Sequence, residues 1–147
     1  MRRLLMTLSL MALAGCAAAP SRYGNFATPD AATSTMMAND ATVQLVSMYP
    51  PALNRFNLLQ ATATDAFGTD LLAGLRAKGY AVGEYVPPVD GKTAPAPSSG
   101  SSLGYTITVQ GTNMYYLTLY VGPQQLSRIY VAENGSAYPA GAWAHKE

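Results

Sequence analysis

Between Tyr105 and Val121 the chain alternates with a period of two residues, and no other stretch restricts its fold as tightly. Tyr105, Ile107 and Val109 share one side, with Thr106, Thr108 and Gln110 on the other. After Gly111-Thr112-Asn113, Tyr115, Leu117, Leu119 and Val121 share a side opposite Tyr116, Thr118 and Tyr120. Successive side chains of a strand point to opposite faces, so each run reads as a half-buried strand. Gly122-Pro123 separates the second run from a third at 126–132, and Glu133-Asn134-Gly135 turns away from that one. Strands joined so closely predict an antiparallel meander. Its aliphatic face needs a cover, while its Thr/Tyr-rich face looks to water or to a partner.

The cover is predicted at 65–78. Phe67, Leu71 and Leu75 recur every four residues with Leu72 beside them, which gives one apolar stripe. Thr64 is the expected N-cap, since its hydroxyl can accept from an otherwise unpaired amide. Asp65 in the first turn and Arg76 and Lys78 in the last suit the helix dipole. Gly79 suits the left-handed residue just past the end. Gly68 and Gly74 each weaken the helix by about 1 kcal/mol relative to Ala, so close approach to a neighbour is their expected use. Residues 80–86 read as a strand returning from the helix, and 55–60 as another, with Phe56 and Leu58 on one side. Residues 42–46 are β-rich and read as a strand that Pro50-Pro51 closes off. The run PPVDGKTAPAPSSGSS at 87–102 excludes a central strand and reads as a loop inside one fold. The expected class is α+β: one principal helix packed on a small, mostly antiparallel sheet, in a single domain at 41–147.

Ahead of that domain, Arg2 and Arg3 precede an apolar run at 4–14 that ends in Leu13-Ala14-Gly15-Cys16. A basic start, a short apolar stretch and a small-residue junction make a secretory signal peptide at 1–15. The run is shorter than the roughly 20 residues a membrane-spanning helix needs. Leu-Ala-Gly-Cys resembles the bacterial lipobox, which implies a diacylglycerol on the Cys16 sulfur, cleavage before it and acylation of the new amine. Ala17, not Asp, follows the cysteine, which by analogy with lipoprotein sorting favours the outer membrane of a Gram-negative cell. Residues 16–40 are rich in Ala, Ser, Thr, Asn and Pro and read as a flexible lipidated tether. Tyr23, Phe26, Met36 and Met37 interrupt it, either packing back on the domain or docking on a partner.

Composition narrows function further. Without Arg2 and Arg3, seven of the nine Lys and Arg remain against eight Asp and Glu, and no basic cluster offers a footprint for nucleic acid. Cys16 is the only cysteine, so its acylation leaves no thiol for a disulfide, a metal or redox work. His145, the only histidine, lies in the last three residues. The carboxylates are scattered, without a pair spaced for acid–base work, and read as solubilising charges and caps. No glycine-rich phosphate motif is present. The chain is therefore expected to be no enzyme and to hold no cofactor or metal. A charge-poor surface with ten tyrosines favours an assembly part. Tyr116, Thr118 and Tyr120 are a possible interface or an ordinary exposed sheet face. Trp143 either staples the tail to its own domain or anchors a neighbour.

Taken together, these residues resemble the TrbH family of conjugal-transfer lipoproteins. The likeness lies in the lipobox, in Phe67-Gly68 leading into Leu71-x-x-x-Leu75-Arg76, and in Gly79-Tyr80-Ala81-Val82. It continues through Leu117-Thr118-Leu119-Tyr120-Val121 and Leu126-Ser127-Arg128 to Pro139-Ala140-Gly141-Ala142-Trp143. The resemblance implies an outer-membrane structural component of a conjugative type IV secretion (mating-pair formation) core complex. Its partners would be channel subunits, with multiple copies in a ring. The competing expectation is a periplasmic module that binds cell wall or a small ligand in a pocket lined by tyrosines.

Overall fold

The computed structural model describes residues 21–62, 65–87 and 99–147, so Cys16, the signal peptide and most of the 87–102 loop lie outside the described residues. Its elements run β1 (Gly24–Asn25), α1 (Ala31–Met48), β2 (Arg55–Leu58), α2 (Ala66–Ala77), β3 (Ala81–Gly83), β4 (Ser101–Gln110), β5 (Met114–Val121), β6 (Gln124–Glu133), β7 (Ser136–Pro139) and β8 (Ala144–Lys146). They build an α+β fold in which two helices lie on one face of a mixed sheet.

The expected meander is present as β4-β5-β6 and continues into β7. Asn134 and Gly135 both take positive φ (52° and 74°), which closes the two-residue hairpin between Glu133 and Ser136. Beyond β4 the sheet is parallel. β2 pairs with β4 along 101–103 and with β3 on its other side, while β1 pairs with β4 at Thr106 and Ile107. Thus β1 and β2 share one edge of β4. The Gln60 carboxamide fills the gap between them: it accepts from the Tyr105 amide at 3.0 Å and donates to the Tyr105 carbonyl at 3.2 Å. A side chain here completes a backbone ladder, so no buried peptide group of Tyr105 goes unpaired. At the far edge, β6 is lined by β7 along 130–133 and by β8 along 125–127.

β2, α2 and β3 form a strand–helix–strand crossover. The α2 stripe is as expected, with Phe67, Leu71 and Leu75 fully buried. Its N-cap is Asp65 and not Thr64: the carboxylate accepts from the Gly68 amide at 2.9 Å. At the other end Gly79 takes φ 89°. Its N–H donates to the Arg76 carbonyl and that of Tyr80 to the Leu75 carbonyl, which closes the helix. The returning strand is only Ala81–Gly83; the Tyr80 ring ahead of it is buried and its hydroxyl donates to the Tyr49 carbonyl. The loop that follows joins two strands that both pair with β2, and Ser101 and Ser102, read as loop, begin β4.

The principal correction concerns α1. Residues 42–46 are not a strand, and 31–40 are not tether; together they make an 18-residue helix. Its buried positions are Thr33, Ser34, Met37, Ala38, Ala41, Thr42 and Leu45, a faultless helical spacing written mostly in small and hydroxylic residues. Such a face carries little hydropathy contrast, while Thr42 and Val43 weigh towards β by propensity. Small residues let the helices approach: a Cβ on Gly74 of α2 would lie 2.7 Å from the Thr42 hydroxyl. That hydroxyl is satisfied within α1 by donating to the Ala38 carbonyl at 2.8 Å. Asp30 caps the helix, accepting from Thr33 N at 2.9 Å and from its hydroxyl at 2.9 Å. Of the four apolar residues in the expected tether, Met37 is buried, Met36 packs beside the core and Tyr23 lies on the sheet; Phe26 is exposed.

Candidate interaction face

The strand register sorts the sheet into a covered face and a bare one. Leu103, Tyr105 and Ile107 stand opposite Val121, Leu119 and Leu117 beneath the helices. Leu126, Arg128 and Tyr130 of β6 extend the same face. The bare face carries Thr106 opposite Thr118 and Thr108 opposite Tyr116. From there Tyr116 is opposite Ile129, Met114 opposite Val131, and Val131 opposite Tyr138.

Tyr116, Thr118 and Tyr120 therefore come together on the bare face, but they are not equally available. Tyr116 is exposed. Thr118 is only 5% exposed between its tyrosine neighbours, with its hydroxyl 3.3 Å from that of Ser127. Tyr120 lies under the Tyr23 ring, edge to face with centroids 5.2 Å apart. Gly104 makes that seat possible, since a Cβ there would come within 2.8 Å of the Tyr23 ring. Trp143 belongs to the other side. It sits in the turn between β7 and β8, packs against the core, and has the Arg128 guanidinium 5.8 Å from its ring centre. It staples the tail to its own domain.

The face also holds exposed residues beyond those three: Met114, Ile129, Tyr138 and, at the β1 edge, Phe26, one of the four apolar residues of the expected tether. Ile129 and Val131 alternate with the buried Leu126 and Tyr130 in a strand that is apolar on both sides, so period alone does not tell inside from out.

Two tyrosine–aspartate pairs join the helices to the covered face. Tyr130 donates to Asp40 of α1 at 2.6 Å, and Arg128 donates from Nη1 to both oxygens of the same carboxylate at 2.8 and 3.0 Å. The Arg128 Nε–H donates to the Gly141 carbonyl at 2.7 Å, tying down the turn that carries Trp143. Tyr105 donates to Asp65 at the start of α2 at 2.7 Å. Burial, reinforced by the adjacent carboxylate, pushes both phenols well above the ordinary tyrosine value. They are neutral donors fixed under the helices.

A cleft of about 600 Å³ opens where β1 meets the starts of both helices, bordered by Tyr23, Asn25, Ser34, Gln60, Asp65 and Tyr85. A hollow of about 410 Å³ on the bare face lies among Arg22, Tyr23, Tyr120 and Gln125. His145 stands exposed in β8 opposite Leu126. Among the described residues no three His, Cys, Asp or Glu are grouped to hold a metal, and no helix is long and apolar enough to cross a membrane.

A family model described as conjugal transfer protein TrbH matches residues 20–147. The chain belongs to the TrbH family of conjugal transfer proteins. The TrbH match spans both helices and every described strand, so it covers the folded unit as a whole. Apart from the lipobox, which lies outside the described residues, the residues on which the TrbH likeness rested occupy structural positions: the buried stripe of α2, its glycine-closed end, the β5–β6 hairpin and the turn held by Arg128. No curated protein and no solved structure matches.

Proposed function

We propose that this TrbH-family chain is a lipoprotein anchored in the outer membrane, a structural component of a conjugative type IV secretion (mating-pair formation) core complex. The observation that carries the reading is the family match over 20–147 in a chain with Leu13-Ala14-Gly15-Cys16 ahead of the folded unit. Acylation at Cys16 would add two or more chains, enough for stable attachment where one alone is marginal. The domain would then meet channel subunits in two dimensions, at raised local concentration and restricted orientation. Several copies would pack side by side around the channel, on the periplasmic side of the membrane. An exposed, charge-poor sheet face backed by a rigid helical layer suits a part that works by contact.

The test is plasmid transfer in a strain deleted for the gene and in one carrying Cys16→Ser, with cross-linking of the wild-type protein in cells. Transfer is expected to collapse in both, with cross-links to outer-membrane channel subunits. Normal transfer in the deletion strain would discard the reading. One observation favours the second reading, a periplasmic module for cell wall or a small ligand: Tyr23 and Tyr85 border the 600 Å³ cleft. Sedimentation of the purified chain with isolated cell wall, unaffected by channel subunits, would put that reading first.

A further inference from the structure

The bare face of the sheet and the anchoring cysteine are closer together than a tether at 16–40 implies. Gly24 and Asn25 already pair with β4, the Phe26 amide donates to the Ile107 carbonyl at 2.8 Å, and Tyr23 is seated on Gly104 and Tyr120. Only four residues separate Cys16 from Ser21, and the five Cα-to-Cα steps between them span at most about 18 Å when fully extended. The headgroup layer alone takes about 5–7 Å of that. What remains, roughly 11–13 Å, is little more than the spacing between two packed layers of a fold. A lipid on Cys16 therefore holds this domain against the bilayer.

The chain reaches the domain across the bare face, where Arg22 and Tyr23 line one hollow with Tyr120 and Gln125. Beyond Tyr120 the face presents Tyr116, Ile129, Met114 and Tyr138, the last 56% exposed, with Phe26 (57% exposed) at its β1 edge. Tyrosine and phenylalanine beside aliphatic side chains suit the boundary between acyl chains and headgroups, where a ring lodges and a hydroxyl stays wet. Within the registered strands the charged residues of this face are Arg55 and Lys146, at the end near Arg22, and Glu133, at the opposite corner. The cations thus stand nearest the anchor, where lipid phosphates are, and the carboxylate stands farthest from it.

Resting on the lipoprotein reading, we propose that the bare face of the sheet lies flat on the phospholipid surface that Cys16 enters, with α1 and α2 turned away from it. The lipid holds the domain near; Phe26, Tyr116, Ile129 and Tyr138 set its orientation. The helical layer is then the side offered to protein partners.

The test uses the lipidated chain in vesicles of phosphatidylethanolamine and phosphatidylglycerol containing lipids with a quencher on the acyl chain. Because the acylated Cys16 is the only native cysteine, Ile129→Cys, Tyr138→Cys and Val43→Cys each place one fluorophore, Val43 lying on the exposed side of α1. Quenching is expected to be severalfold stronger at 129 and 138 than at 43, in proteins whose far-ultraviolet circular dichroism matches wild type. Equal quenching at the three sites, or stronger quenching at 43, would overturn the proposal. So would unquenched labels at 129 and 138 that show energy transfer between copies, since a second copy would then own the face. The intact mass reports separately on the anchor. A chain of unmodified mass at Cys16 refutes the lipoprotein reading, whereas a lipidated chain with an unquenched sheet face refutes only the orientation.

Discussion

Asp40 lies in the middle of a helix, where a carboxylate is ordinarily a solvated ornament, yet it receives Arg128 and Tyr130 from the sheet below. The ion pair is roughly one-fifth exposed on each side, so water screens it only in part. Asp40→Ala leaves a guanidinium and a phenol under α1 with their acceptor gone, and is expected to cost about 2–4 kcal/mol. Asp40→Asn keeps one acceptor oxygen and should lose about half of that. Urea unfolding of the two variants measures both; wild-type midpoints in each would show that α1 is held by its buried small residues alone. Reading the carboxylates as caps is right for Asp30, whose role is set within its own helix turn, and for Asp65, which caps α2 and also accepts from Tyr105, 40 residues away. It fails for Asp40, because its partner is 88 residues away and no local spacing encodes that meeting.

The same contrast holds for elements. Strands β4 to β6 and helix α2 are legible because each separates apolar from polar residues at its own period, and burial follows that separation. Helix α1 was hidden because its contact surface, Met37 and Leu45 aside, is made of Thr, Ser and Ala, whose value lies in close approach and not in hydropathy. β1 was hidden because two residues are too few to show a period, and its pairing depends on the gap that Gln60 closes. The bare face was half legible: the alternation marks Tyr116, Thr118 and Tyr120 as one side, but Tyr23 claims Tyr120 from outside the strand. Glycines in α2 give a direct test of how tightly the layers meet. In an open helix Gly→Ala gains up to about 1 kcal/mol. A Cβ on Gly68, however, would lie 2.3 Å from the Tyr105 hydroxyl and 2.8 Å from the Thr62 carbonyl oxygen, which is backbone and cannot swing aside. Gly68→Ala should therefore destabilise by about 1–3 kcal/mol. Gly74→Ala, which meets the rotatable Thr42 side chain, should cost less. Thermal melts that rank Gly74→Ala as the worse of the two would refute this account of the seat of α2.

For the molecule as a whole, both helices are tied to the sheet through phenols that must stay protonated to donate, which sets an alkaline limit on the fold. Tyr105 and Tyr130 ionise in the folded chain only far above the ordinary value of 10.0, with burial the first cause and the neighbouring Asp65 or Asp40 the next. Below that value the two tyrosines are protonated whether the chain is folded or not, and the stability they carry is fully present. Above it the unfolded chain releases protons that the folded chain retains, so stability falls as pH rises. Each such group contributes a slope of about 1.4 kcal/mol per pH unit, or nearly 3 for the pair. Tyr49 and Tyr80, also raised by burial, steepen it. An alkaline titration followed by tyrosinate absorbance should consequently show the buried pair ionising late, in a cooperative step that coincides with loss of helical circular dichroism. Tyr130→Phe removes one of the late-ionising groups and should shrink that step by one tyrosine. If all tyrosines instead ionised in a single early wave with helicity unchanged, water would have free access beneath α1 and α2, and the rigid layer argued to back the bare face would not exist.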